Sequence, residues 1–478
     1  MTLPRDLAWQ NLDLVYRSSI SYQFARYALR LNYDMLPKDV IHQAKRSLLD
    51  TLGCAIGAYV APGRLTCEAV ARELDGPEEA TVFCSGMRTS ALNATLVNSF
   101  LVRYLDYNDM GGGGHNSDAI SGILAVSERE KTDGRAFLTS VVISYELGER
   151  VKDSALDPSV EAKTSRGQWK GWTNDCRGGL TMPPALGKLM RLNEDQIANA
   201  IGICASHSLP MGIHDTDREE NTMTKNLRFG FVVYDAILAC MLAKKGFTGP
   251  VRVVEGESGF RQVILQGNMD LERLVDFSGW RILRTMHKSL CANSNTQGHI
   301  LATIAIVKEH DLKPEDIVSV RIRTGLRDAR HTTTFSKKYP RNAENADHSA
   351  FYANAIAIKE RAFGPESIEP PEKFFDPVVL DLIEKITVEA DPTMPENGYQ
   401  GMSEITTKDG RRFQKRVDQP HGFGNDPLTD KELEDKFRSM AIKYMDEKQI
   451  KTIFDTVWNV EKVDHMSKLA SLMVFPKK

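Results

Sequence analysis

Hydrophobic positions recur every three or four residues through most of the first 270 residues. Residues 37–59 show this spacing most clearly, because Val40, Ala44, Leu48 and Leu52 fall on one face of a helix that Pro37 can begin. Small residues continue the same face, which is typical of close contact with a second helix. Similar spacing recurs at 89–106, 117–150, 178–190, 195–208 and 227–245. The pattern predicts a first part of the chain that is all-helical.

The pattern changes near residue 275. Apolar and polar residues alternate from Ile317 to Ile322, as in a half-buried strand. Residues 379–391 run from a helical pattern into a strand, and residues 403–417 resemble a hairpin with Asp409-Gly410 at its turn. These features predict a smaller α+β unit.

Helical spacing returns near the C-terminus, where Thr429 is a predicted N-cap and Glu432 completes a capping box. A chain of 478 residues is too long for one hydrophobic core. We therefore expect a mainly α fold with two domains. Residues 1–272 and 426–478 form a large all-α helical domain from both ends of the chain, and residues 273–425 form an α+β lid domain.

Charge and composition exclude several functional classes. The chain has 61 basic and 64 acidic residues without a long run of either sign, so nucleic acid is not expected as a partner. The N-terminus does not resemble a signal peptide or transit sequence, and no apolar window is long enough to span a membrane. These features predict a cytoplasmic protein without membrane association.

Cysteine spacing bears on metals and disulfides. The seven cysteines are scattered and form no C-x-x-C pair, which argues against zinc, disulfides and iron–sulfur clusters. We expect no bound metal and no cofactor, so that the chemistry comes from ordinary side chains or a loosely held ion.

A first candidate for chemistry is the stretch "DYNDMGGGGHNSDAISGIL" at residues 106–124. Its glycines allow a loop to approach another group closely, and Asn116, Ser117 and Asp118 are good N-caps. His115 then lies just outside a helix N-terminus, where free backbone N–H groups favour an anion. The alternative interpretation is a mobile loop with a hydrogen-bonded histidine.

Three further segments concentrate polar residues. Lys225 and Arg228 are expected on one helical face, where a lysine can bind a carboxylate or act as a base, although it can also be merely solvated. Residues 284–299 place Lys288 and Gln297 near the domain junction, where ligand sites are common, or in a polar surface loop. Asp347 can orient the imidazole of His348 or simply cap the following helix.

Together these segments resemble the MmgE/PrpD family, which includes 2-methylcitrate dehydratase and cis-aconitate decarboxylase. Residues 36–58, 104–118, 223–250, 255–260, 346–352 and 426–437 follow family stretches in order. The resemblance implies the two-domain fold above, a homodimer, and an active site in the cleft without a prosthetic group. It also places five residues at family-like positions in that cleft: Asp106, Asp109, His115, Lys225 and Lys288.

Some positions depart from the family pattern. Asn174 stands where many members have a histidine, and asparagine cannot shuttle a proton as imidazole does. Met110 replaces a usual threonine, and Asn116 replaces a proline.

The expected function is a hydro-lyase that eliminates water from a tricarboxylate such as 2-methylcitrate or citrate, as in propionate catabolism. His115 acts as acid or base with help from Asp106 or Asp109, and Lys225 completes the catalytic group. The expected substrate-binding residues are Lys288, Asn174, Gln297, His348 and Arg228. The alternatives are a cis-aconitate-type decarboxylase, a diacid isomerase, and a carboxylate-binding protein without catalysis.

Overall fold

The computed structural model describes residues 5–111, 114–155, 171–215 and 219–475. Gly112 and Gly113 of the glycine-rich loop therefore lie outside the described residues. Within the described ranges the chain forms 22 α-helices and two small sheets. The prediction of a mainly α fold with a small α+β region is confirmed.

The first part of the chain is built from ten helices. They are α1 (Arg5–Arg17), α2 (Ile20–Arg30), α3 (Lys38–Gly57), α4 (Pro62–Leu74), α5 (Ala91–Tyr104), α6 (Ile120–Arg129), α7 (Gly134–Ala155), α8 (Gly178–Leu189), α9 (Glu194–Ala205) and α10 (Arg228–Lys244). A two-residue ladder, β1 (Ala80–Thr81) with β2 (Arg88–Thr89), interrupts them. The expectation of an all-helical first part missed this ladder, because two residues are too few to show an alternating pattern.

The remaining helices are shorter on average. They are α11 (Phe260–Val263), α12 (Leu271–Leu274), α13 (Gln297–Glu309), α14 (Leu326–His331), α15 (Phe335–Lys338), α16 (Ala343–Ala346), α17 (Ala350–Glu360), α18 (Pro365–Ile368), α19 (Pro377–Lys385), α20 (Asp430–Ala441), α21 (Glu447–Trp458) and α22 (Ser467–Leu472). Four strands accompany them: β3 (Ile317–Thr324), β4 (Ile386–Ala390), β5 (Gly401–Thr407) and β6 (Arg412–Val417).

The four-stranded sheet has the order β4-β3-β5-β6. β3 is parallel to β4 and antiparallel to β5, and β5 and β6 form an antiparallel hairpin. Gly410 has a φ of +82° in the hairpin turn, as the Asp-Gly signal predicts. Helix α13 packs so closely on β5 that a Cβ on Gly401 would lie 2.2 Å from the backbone nitrogen of His299.

Helix α3 lies at the centre of the helical part and is buried along most of its length. Its small residues allow close contact with α20, since a Cβ on Gly57 would lie 2.9 Å from the sulfur of Met440. The predicted close helix contact is therefore present. It brings the C-terminal part of the chain onto the N-terminal part, and the predicted capping box of Thr429 and Glu432 begins α20.

One predicted helical pattern is divided in the structure. Residues 117–150 form a short 3-10 turn, α6 and most of α7 rather than one helix. The break between α6 and α7 contains Lys131 with a φ of +53°, which a continuing helix cannot accommodate. Within the described ranges no helix has the length and apolar character needed to cross a bilayer.

Candidate active site

Asp106 lies at the centre of a buried cluster of charged side chains. It follows the end of α5 with a φ of +45°, the left-handed conformation that commonly terminates a helix. This turn directs its carboxylate back towards Arg103, whose NH1 lies 2.6 Å from Asp106 Oδ1. The same oxygen accepts from Lys288 Nζ at 2.6 Å, while Lys225 Nζ lies 3.5 Å from Oδ2.

These cations fix the charge of Asp106. Burial alone would raise the pKa of this carboxyl, but Arg103, Lys288 and Lys225 hold the pKa well below its usual value. Asp106 is therefore ionised at neutral pH. Burial lowers the pKa of Lys288, and the opposing effect of Asp106 only partly offsets it.

His115 lies beside Asp106 in this cluster. It precedes the 3-10 turn Asn116–Ala119, and its Nδ1 lies 2.7 Å from the backbone oxygen of Asp109. Because a carbonyl oxygen can only accept, Nδ1 carries the proton in the neutral ring. Nε2 is then a proton acceptor, 3.3 Å from Asp106 Oδ1. Burial lowers the pKa of His115 well below its usual value, and Arg103 and Lys288 lower it further.

The glycine-rich loop packs tightly around His115. Gly111 donates its N–H to the backbone oxygen of Gly114 at 2.9 Å, and Gly114 has a φ of +137°. A Cβ on Gly114 would lie 3.1 Å from Nδ2 of Asn174, so the loop lies directly beside Asn174. Met110 is bridged to Met286 by two backbone hydrogen bonds, which connect the loop to the segment that carries Lys288. The described part of the loop is thus packed against Asn174 and Met286.

The carboxylate of Asp109 does not contact His115, although its backbone does. Its Oδ2 accepts from the hydroxyl of Tyr145 at 2.6 Å, and its Oδ1 accepts from the backbone N–H of Ser117 at 3.2 Å. Burial raises the pKa of Asp109 to about 6 despite these hydrogen bonds. Its contribution to the site is therefore through its backbone oxygen.

Asp347 joins a lysine and an imidazole. Its Oδ2 accepts from Lys225 Nζ at 2.7 Å, and its Oδ1 lies 2.5 Å from Nδ1 of His348. Ser349, and not Asp347, caps α17. Burial and, to a smaller extent, Lys225 lower the pKa of His348 to about 4, although Asp347 opposes the shift. Since Nδ1 donates to Asp347, the neutral His348 ring presents an unprotonated Nε2.

A second charged group lies around Arg228. Lys225 lies in a 3-10 turn and α10 begins only at Arg228, so the expectation that both share one helical face is wrong. Arg228 contacts Asp175 through Nε, and its NH1 lies 3.3 Å from Asp215 Oδ2. Asp215 Oδ1 lies 3.1 Å from Nε2 of His331 and 3.7 Å from Nε2 of His348.

Two other predicted residues have different surroundings. The amide of Gln297 donates to the backbone oxygens of Leu290 and Ala292, and its Oε1 accepts from the N–H of Leu290. These hydrogen bonds stabilise the turn after Lys288, and they engage the side chain of Gln297 with backbone groups. Asn174 is half-buried at the start of a 3-10 turn, and its backbone oxygen accepts from Arg177.

The exposed fraction of each side chain shows which residues of the site a ligand can contact and which are buried. The side chains of His115, Arg228, His331 and Asp215 are 12%, 10%, 11% and 20% exposed. Lys225 and Lys288 are at most 1% exposed. The two lysines therefore act on the site through Asp106 and Asp347 in this conformation.

Two groups of three side chains have the donor atoms of a cation site: Asp215, His331 and His348, and Asp106, Asp347 and His348, with ligand atoms within 4.8 Å of one another in each group. A fixed cation contacts each group, because Arg228 lies against Asp215 and Lys225 lies against Asp106 and Asp347. These cations already pair with the carboxylates that a divalent ion would need as ligands.

Sequence reasoning did not select several residues of this cluster. Arg103, Asp215, His331 and Lys436 come from four separate regions of the chain. Lys436 on α20 donates to the backbone oxygens of Tyr107 and Lys288 and pairs with Asp50. A charged residue inside the apolar face of a helix, as at Lys436 between Leu433 and Phe437, is the signal that could have identified it.

The comparisons with known proteins cover most of the chain. The family model of the MmgE/PrpD N-terminal domain matches residues 22–272, and that of the MmgE/PrpD C-terminal domain matches residues 291–460. Cis-aconitate decarboxylase from Aspergillus terreus is 21% identical over 98% of this chain and 99% of its own. The human enzyme of the same name is 24% identical over 96% and 95%. The 2-methylcitrate dehydratase of Salmonella typhi is 25% identical over 50% of each chain.

Proposed function

This chain belongs to the MmgE/PrpD family, and from that premise we propose that it is a lyase that eliminates water from a tricarboxylate such as 2-methylcitrate or citrate. The observation that carries the proposal is the 2.7 Å contact between His115 Nδ1 and the backbone oxygen of Asp109, from which the tautomer of the ring follows. A neutral imidazole with its Nδ1 proton held by Asp109 offers Nε2 as a base at neutral pH.

In the proposed reaction His115 Nε2 accepts the proton from the carbon next to a substrate carboxylate. Asp106 Oδ1, 3.3 Å from Nε2, accepts a hydrogen bond from the imidazolium that forms. The electron pair of the C–H bond forms the new double bond as the neighbouring C–O bond breaks, and the departing hydroxide takes the proton back from His115 Nε2 and leaves as water. Pre-positioned charge of this kind is often the largest contribution to catalysis.

Lys288 and Lys225 support this step through the carboxylates that they contact. Lys288 and Lys225 keep Asp106 ionised and hold it towards His115, and Lys225 also anchors Asp347. His348 presents a second imidazole on the opposite side of Asp106, with Nδ1 3.5 Å from Oδ2. The neutral ring keeps its proton on Nδ1 against Asp347, so the acid that the elimination also needs is the imidazolium of His115.

Decarboxylation of cis-aconitate is the second candidate. Relatives named cis-aconitate decarboxylase align with nearly the whole chain, whereas the named 2-methylcitrate dehydratase aligns with half of it. Decarboxylation also needs fewer proton transfers, which fits an asparagine at position 174. In this reaction one C–C bond breaks, carbon dioxide leaves, and a protonated group at the site delivers a proton to carbon.

Product analysis tests these proposals. Purified protein is incubated separately with citrate, 2-methylcitrate and cis-aconitate, and proton NMR and carbon dioxide release are followed. A new vinylic signal from a citrate without carbon dioxide supports dehydration. Carbon dioxide together with a five-carbon unsaturated diacid from cis-aconitate supports decarboxylation. Binding without turnover of any acid would identify a carboxylate-binding protein.

We further propose that the protein is a homodimer. Phe231 and Leu238, seven residues apart on α10, are exposed on one face of this helix, and Met223 just before it is also exposed. Apolar side chains exposed together on one helix face support an interaction surface at this position. Light scattering should give twice the mass of the 53.5 kDa chain, and Phe231→Glu with Leu238→Glu should give the single-chain mass. A monomeric wild type would contradict the dimer.

A further inference from the structure

The charged group around Arg228 includes the carboxylate of Asp215, which is partly exposed. Asp215 contacts Arg228 NH1 at 3.3 Å and His331 Nε2 at 3.1 Å. A planar guanidinium and an imidazole N–H are suitable donors for a carboxylate. The spacing of Arg228 and His331 fits a carboxylate, since the carboxylate of Asp215 already lies between them.

The two donors are held in place independently of Asp215. Arg228 also pairs with Asp175, which Arg177 contacts at 3.3 Å. Lys337 donates to the backbone oxygen of His331 and lies 3.5 Å from its Nδ1. A lysine donor at Nδ1 makes that nitrogen the acceptor, so Nε2 of His331 carries the proton that points to Asp215.

The same charged group lies next to the reacting residues. Nε2 of His348 lies 3.7 Å from Asp215 Oδ1, and the other nitrogen of that ring lies 3.5 Å from Asp106. The buried Lys225 and Lys288 are engaged by Asp106 and Asp347. Arg228 and His331 are therefore the better exposed donors for a second acidic group of a polycarboxylate.

We propose that Arg228 and His331 form a subsite for a substrate carboxylate remote from the reacting carbon, and that Asp215 occupies this subsite as an internal competitor in the ligand-free chain. The proposal rests on the proposed function for the class of ligand. It adds the position of a second carboxylate and a residue that limits affinity. A ligand carboxylate replaces Asp215 and takes the same two donors.

Binding of tricarballylate, a saturated tricarboxylate without the leaving hydroxyl, tests the subsite without requiring turnover. Isothermal titration calorimetry is performed on the wild type and on Asp215→Ala. If Asp215 holds the donors nine-tenths of the time, its removal should lower the Kd by about tenfold, because only the vacant fraction binds. Asp235→Ala on α10 removes the same charge elsewhere and should leave the Kd unchanged.

A second variant separates a specific subsite from a general effect of charge. Adding His331→Phe to Asp215→Ala should reverse most of the gain in affinity, since one donor is lost. The subsite is contradicted if Asp215→Ala weakens or does not change binding, if Asp235→Ala gives the same gain, or if the gain survives His331→Phe. It is also contradicted if neither the wild type nor Asp215→Ala binds tricarballylate. Tighter binding by Asp215→Ala without turnover of any acid would support the subsite while contradicting the lyase.

Discussion

The Nδ1 atom of His115 lies 2.7 Å from the backbone oxygen of Asp109. This contact determines which nitrogen of the ring faces the cleft, because the carbonyl requires a proton on Nδ1. A loop with several glycines can bring a backbone oxygen this close to a side chain, and the bond between Gly111 and Gly114 closes the loop. The loop therefore fixes the orientation of the His115 ring as well as connecting two helices.

Replacing His115 with glutamine should lower kcat by about 10²–10⁴-fold, the usual contribution of a positioned proton-transfer group. Glutamine retains hydrogen bonding but cannot accept the proton. Steady-state kinetics on the acid identified by product analysis measure the effect. His207→Gln changes an exposed histidine on another loop and should retain full activity. A His115→Gln enzyme with wild-type kcat would exclude His115 as the base.

Replacing Asp106 with asparagine should destabilise the fold as well as abolish activity. The change leaves Arg103, Lys225 and Lys288 buried with one carboxylate fewer, and breaking such buried pairs costs about 3–5 kcal/mol. Urea unfolding measures the loss. Asp418→Asn removes an exposed partner of Arg416 and should change the free energy of unfolding by less than about 1 kcal/mol. Equal effects of the two variants would contradict the central role of Asp106.

Lys436 and Asp50 allow a double-mutant test of the connection between α20 and the site. Lys436 Nζ lies 2.7 Å from Asp50 Oδ1, and both side chains are buried. Lys436→Met alone should cost about 3–5 kcal/mol because it leaves a buried carboxylate unpaired, and Asp50→Asn added to it should restore most of the stability. Activity should stay low in both, since Lys436 also holds the backbone oxygen of Lys288. Additive losses of stability would contradict the pairing.

The pH dependence of stability should reveal Asp118. Burial raises the pKa of this carboxyl to about 7, although Arg103 opposes the shift. A carboxyl with a higher pKa in the folded chain binds more protons there, so its contribution to stability is lost as pH rises from about 4 to about 7. Relative to Asp118→Asn, the wild type should lose up to about 1.4 kcal/mol per pH unit in this window.

Urea unfolding at several pH values between 4 and 8 measures this difference. The comparison with Asp118→Asn cancels the other titrating groups, and asparagine can still accept the hydrogen bond that Asn108 donates to Oδ1. Parallel stability curves for the two proteins would show that Asp118 titrates normally.

Local patterns predicted the elements but not every break between them. The helical spacing at residues 37–59 corresponds to α3, and the Asp409-Gly410 signal corresponds to the β5-β6 turn, because each depends on neighbouring residues. The break between α6 and α7 depends on a single left-handed residue, Lys131, for which lysine gives no signal. The domain boundaries at 272 and 425 remain a prediction.

The arrangement of the site residues was harder to predict from the sequence than the helices and strands were. Asp106, His115, Lys225, Lys288 and His348 lie in one cluster, but their resemblance to family positions, and not their spacing, brought them together. Asp215 and His331 are 116 residues apart in sequence, and only the tertiary fold places them 3.1 Å from each other. The roles of all these residues stay predictions until variants are measured.

Solvent exchange at the substrate carbon tests the central claim most directly. The wild type and His115→Gln are incubated with citrate, 2-methylcitrate and cis-aconitate in deuterated buffer, and proton NMR follows the carbon next to the carboxylate. We expect deuterium at this carbon, in substrate or product, with the wild type, and a loss of at least about 10²-fold in the rate of exchange with His115→Gln. Exchange at the same rate in both proteins, or none with the wild type, would contradict proton transfer by His115.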